Sequence, residues 1–164
     1  MRHAALILLV LAFAAPLAPA AATRPSGGSI SVEGGRGTIV IKGRGDLRAR
    51  IDRGIVAITD LTPFDQWSPR VNGVPRGRAV SIRGQRISVY IPDGRYKIQI
   101  RGEGISISGY GTGTVMLDGE PDASGATGSY AIGDAERHPL PADPTRLSFG
   151  QAEQTSAASA RIAP

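Results

Sequence analysis

The sequence predicts an all-β protein: short Gly-terminated strands in an antiparallel meander, closed as a small β-sandwich or barrel, with a short β-solenoid as the alternative. Three observations predict it. Apolar residues recur at every second position through the middle of the chain, which puts one face of each strand into a core. The inward set is mostly Val, Ile and Tyr, side chains that suit a pleated surface, while the outward set is Arg, Lys, Ser, Thr and Gln. Nearly every break between runs carries glycine, which supplies the positive φ of tight turns.

The N-terminal segment has the layout of a secretory signal peptide. Met1-Arg2-His3 is a short charged start, Ala4 to Ala15 is an unbroken apolar run, and Pro16 and Pro19 break any helix beyond it. Ala20 and Ala22 stand at −3 and −1 of a cut before Thr23. A membrane-spanning helix needs about 20 apolar residues without such breaks. Residues 1–22 are therefore expected to direct export, with 23–28 a short linker and no transmembrane segment left after cleavage. The chain has no cysteine, which excludes both a disulfide framework and a cysteine-linked lipid anchor. Arginine dominates the basic set, with Lys42 and Lys97 the two lysines, and Ala, Gly and Pro are abundant. That bias suggests a bacterial, GC-rich origin. The expected location is extracellular or periplasmic, in the cell envelope.

Residues 29–118 form the expected all-β domain. The alternating runs are 29–33, 38–42, 47–51, 55–61, 79–83, 86–91, 95–101, 104–108 and 113–117. Asp93-Gly94, between two such runs, reads as a hairpin turn. A pattern of apolar, any, apolar, any, Gly recurs, ending at Gly34, Gly43, Gly84, Gly102, Gly109 and Gly119. Its uneven steps of 9, 41, 18, 7 and 10 argue against a fixed repeat. Residues 62–77 interrupt the strands as a prominent Pro-rich loop holding Phe64, the single Trp67 and an Asn72-Gly73 turn. Residues 119–164 lose the alternation and read as a mostly disordered tail, in which Leu147 and Phe149 could dock.

Charge divides along the chain. Residues 36–117 hold 14 Lys/Arg against 6 Asp/Glu, and residues 118–164 hold 3 Arg against 7 acids. A basic body thus carries an acidic C-terminal stretch, which bears on solubility and partners.

The sequence offers little for catalysis. His138 is the only histidine beyond the leader, and it lies outside the strand-rich part, so a Ser-His-Asp arrangement is not expected. Zinc sites need several Cys or His ligands, and no catalytic residue, metal ligand or cofactor is assigned. The glycines around residues 101–104 and 109–113 lie between strands, where turns explain them better than a phosphate cradle.

Two leads concern binding. Arg48 and Arg50 share one side of their strand, and Arg95, Lys97 and Arg101 share one side of theirs. If these strands share a sheet, the outer face presents rows of cations that would attract a polyanion in a salt-dependent way. Trp67 would contact a partner protein or else plug the core. Few strand aromatics are available to stack on bases, so sequence-specific nucleic-acid binding is not expected. The expected function is a non-catalytic β domain that binds an anionic cell-wall polymer or a surface protein. The alternatives are an enzyme using two carboxylates on envelope glycans and a self-assembling structural surface subunit.

Overall fold

The computed structural model describes residues 28–62 and 68–150, and within them every regular element is a strand. The predicted leader (1–22), Phe64, Trp67 and residues 151–164 lie outside the described residues. The strands are β1 (Gly28–Asp60), β2 (Arg70–Val71), β3 (Val74–Pro75), β4 (Ala79–Ile91), β5 (Arg95–Gly119), β6 (Ser129–Ile132), β7 (His138–Pro139) and β8 (Thr145–Phe149). All pairings are antiparallel, in the order β3-β2-β4-β1-β5-β8, with β6 on β1 and β7 on β6. The all-β antiparallel class is as predicted. The barrel form is corrected: the sheet is not closed.

The register of β1 with β5 explains the shape. Ile41 pairs with Ile98 on one edge and with Val115 on the other. Ile98 in turn pairs with Ile41 and with Ile58. Each residue thus has two partners on the same strand, 17 positions apart. Seventeen strand residues extend roughly 56 Å, yet Ile41 and Ile58 are separated by one intervening run, about 10 Å across. The strand can satisfy both lengths only by going round and returning. β1 and β5 are therefore wound together as an antiparallel ribbon with a 17-residue circuit.

Each circuit has two runs. One row of runs, in bonded order, is 79–84, 54–60, 95–102, 37–44, 112–119 and 145–149. The other is 86–91, 46–51, 105–111, 28–33 and 129–132. Inward residues of both rows form one core, with Ile41, Leu47, Ile98, Ile100, Ile105, Val115 and Leu117 fully buried. Burial of one such side chain is worth about 1.5–3 kcal/mol, so the core carries the stability.

Glycine permits the corners between rows. Gly84, Gly54, Gly102, Gly37 and Gly119 pair successively in one line across the sheet. A Cβ on Gly54 would run into the Arg101 carbonyl oxygen, and one on Gly102 into that of Arg53. Asp93-Gly94 also lies at a corner, which corrects the expected hairpin. β4 and β5 both pair with β1, and the Gly45 N–H donates to the Gly94 carbonyl at 3.1 Å. A true two-residue turn is found at Asn72-Gly73, with φ of 51° and 78°, between Val71 and Val74. The Asn72 side-chain oxygen accepts from the Ser88 N–H at 2.8 Å and ties this hairpin to β4.

The stretch expected to be a disordered tail is built into the sheet as far as residue 150, through β6, β7 and β8. Phe149 is the reason. Gly43 and Gly113 occupy inward positions without side chains, and Phe149 pairs with Gly113. Its ring lies 3.4 and 3.1 Å from where Cβ atoms on Gly43 and Gly113 would sit, so it fills the slot they leave. Leu140 is buried beside Gly35 and Gly119 in the same way.

Candidate polyanion-binding face

Alternation sends the residues between the core positions outward, and the register decides which of them meet. On the row containing 37–44 and 95–102, four lines cross the outer face. The one beside the Gly54–Gly102 corner runs Arg83, Ile55, Arg101, Thr38, Asp118 and includes an acid; the other three lie away from that corner. Of these three, the first runs Thr59, Lys97, Lys42, Thr114, Ser148. The second runs Arg95, Arg44, Thr112. The third runs Ala57, Gln99, Val40, Met116, Arg146. Lys42 thus stands directly opposite Lys97, and Arg44 opposite Arg95. No residue of the three lines is acidic.

Directly opposed like charges weaken a sheet. At roughly 5 Å in water each pair repels by about 0.8 kcal/mol, and splaying of the long side chains relieves part of it. Lys42, Arg44, Arg95, Lys97 and Arg146 line one shallow concavity of about 900 Å³. All five are exposed, and none makes an ion pair among the described residues. The flanking hydroxyls of Thr59, Thr114 and Ser148 add donors for an oxyanion.

The structure divides the residues singled out from the sequence. Arg95 and Lys97 belong to this face. Arg48 and Arg50 lie on the other row, between β4 and the 105–111 run, so the five cations do not form a single patch. Arg48 stacks over the Tyr90 ring at 5.0 Å, and Arg50 is paired between Ser88 and Ser106. Arg101 stands at a corner, where it bridges to Glu120 at 3.6 Å. Arg36 and Arg53 there approach Glu103 at 3.7 and 3.6 Å. Trp67 lies outside the described residues.

Sequence reasoning missed Lys42, Arg44 and Arg146. Lys42 and Arg44 showed the right alternation, but only the register reveals that they face Lys97 and Arg95. Arg146 was hidden in the stretch read as disordered.

The carboxylates are arranged differently. Asp52, Glu103 and Asp122 line a smaller hollow together with Arg36. Asp122 accepts from the Ser124 hydroxyl at 2.6 Å and from the Ser124 and Ala126 N–H groups at 2.7 and 3.0 Å. These bonds hold its pKa below the ordinary carboxylate value, the wrong direction for a general acid. Glu103 is engaged by two arginines. His138 is exposed and packs its ring against Tyr130, with centroids 5.9 Å apart.

Compared with family models, curated proteins and solved structures, the chain matches none.

Proposed function

We propose that the chain is an exported, envelope-associated, non-catalytic β domain that holds an anionic cell-surface polymer across the Lys42/Lys97 face. The observation that supports this reading is the opposition of Lys42 to Lys97 and of Arg44 to Arg95, with no acid in the three lines away from the Gly54–Gly102 corner. A fold gains nothing from such pairs in isolation. A polyanion laid along the face neutralises both pairs and releases its own counterions.

The test is retention of the chain on bacterial cell-wall material and on a purified acidic polysaccharide, measured from low to high salt. Binding should be saturable and fall steeply with salt. Replacing Lys42, Arg44, Arg95 and Lys97 by Ser should flatten the dependence of log affinity on log salt by about 0.7 per charge removed. Arg48→Ser/Arg50→Ser, on the other row, should leave binding nearly unchanged. Relief of the like-charge pairs predicts that the fourfold Ser variant melts no lower than the parent chain. Equal affinity of the parent and fourfold variants would remove the proposal.

A further inference from the structure

The two ends of the wound ribbon are unlike in charge and alike in being open. The first row begins with the run 79–84 and ends with β8. The outer edges of both runs carry no backbone pairing among the described residues. The core is also uncovered at these ends. Its half-buried apolar residues on the two end runs of this row are Val80 and Ile82 on β4 and Leu147 on β8; Tyr130 and Ile132 lie on β6, which β7 partly covers.

Charge follows the same division. Residues 68–86 carry Arg70, Arg76, Arg78, Arg83 and Arg86 and no acid. At the far end, Asp134 and Glu136 lie between β6 and β7, and Asp143 lies between β7 and β8. These three are exposed and make no ion pair among the described residues. Arg146 is an exposed cation at that end, and Arg137 is already paired with Glu33 at 3.0 Å.

We infer that copies of this chain associate head to tail, the basic edge 79–84 of one copy continuing the sheet beyond β8 of the next. Strand direction permits it. Six runs make up the row and neighbours alternate in direction, so the last runs opposite to the first. A second copy's 79–84 therefore meets β8 antiparallel, as every other neighbour does. The join is heterologous and leaves one open edge at each end, so it can repeat. It covers Val80 and Ile82 of one copy with Leu147 of the next, and places the arginine-rich end against Asp134, Glu136 and Asp143. This inference is independent of polymer binding, and its test contains no polymer.

Sedimentation velocity of the purified full chain at rising concentration is the measurement. Association should appear at low salt and be lost near 1 M, where the screening length is about 3 Å. Arg78→Glu/Arg83→Glu and, separately, Asp134→Arg/Glu136→Arg/Asp143→Arg should each associate about tenfold more weakly alone. An equimolar mixture of the two should regain association, because each supplies the end the other lacks; that recovery also shows that both variants fold. The absence of cysteine permits a second test of the edges. Ser81→Cys and Ser148→Cys chains should form mixed disulfide dimers when combined and few when oxidised separately. A monomer at every concentration would overturn the inference, as would association indifferent to both charge reversals, including association through the apolar run 4–15. Self-crosslinking of Ser81→Cys alone would mean two identical edges meet, and absence of the mixed dimer would mean these edges do not meet; either result overturns it.

Discussion

Gly54 and Gly84 stand on the same line across the sheet, yet they carry different constraints. Gly54 lies between two partner runs, where a Cβ would strike the Arg101 carbonyl, whereas a Cβ on Gly84 would meet nothing within 4 Å. Gly54→Ala should therefore cost about 2–4 kcal/mol, seen as a lower chemical denaturation midpoint, and Gly84→Ala should change stability by about 0.5 kcal/mol or less. Tyr96 carries a different kind of constraint. Burial first, then the negative charges of Asp46 and Asp93, push its pKa well above the ordinary phenol value. The unfolded group ionises near pH ~10, and the folded group resists. Stability is thus intact below the unfolded pKa and falls as pH rises towards the folded one, by about 1.4 kcal/mol per pH unit. Melting temperatures taken from pH 8 to 12 should show this decline in the parent chain and a shallower one in Tyr96→Phe.

The individual runs were legible before the structure, because alternation such as Ile39, Ile41 and Leu47, Ala49, Ile51 needs no knowledge of partners. Their union into a single strand, Gly28–Asp60, was not. Glycine marks a turn and a bend alike, and only the partner across the sheet distinguishes them. Asp93-Gly94 illustrates this: its composition suits a hairpin, but the runs on either side pair with β1 instead of with each other. The inward phase also shifts, from Ile51 to Val56 and from Ile100 to Ile105, so an odd residue is absorbed at each of these corners. The C-terminal strands were missed because they are short and their apolar residues sparse. β8 draws on the slot over Gly43 and Gly113, so its own sequence understates its burial. Phe149→Ala should cost about 3–5 kcal/mol and lower the melting temperature of the whole domain, because the slot over Gly43 and Gly113 would be left empty.

At the scale of the molecule, the 17-residue circuit was present in the sequence but divided. Gly37 and Gly54, Gly28 and Gly45, Gly94 and Gly111, and Gly102 and Gly119 are each 17 apart. The uneven spacing of glycine along the chain concealed this, since each circuit contains two corners and the runs between them differ in length. The candidate face was half legible for the same reason. Arg95 and Lys97 were identified on their own strand, while the residues opposite them required the winding to be known. The winding also separates Arg48 and Arg50 from Lys97 by a corner, so a charge count along the chain overstates how much of it any one ligand can meet.

The winding has a consequence for how the chain comes to be folded. Ile39 lies between Ile100 and Leu117, and Ile30 between Gly109 and Ile132. While only the first half of the polypeptide exists, residues 28–44 of the longest strand have none of their partners. A stack of self-sufficient repeats could set one unit at a time as the chain emerges. This ribbon cannot: its early residues wait for partners made last, and closing such distant pairs is slow. Residues 46–60 can pair with 79–110 earlier, but the far edge of 28–44 stays open until the final third is available.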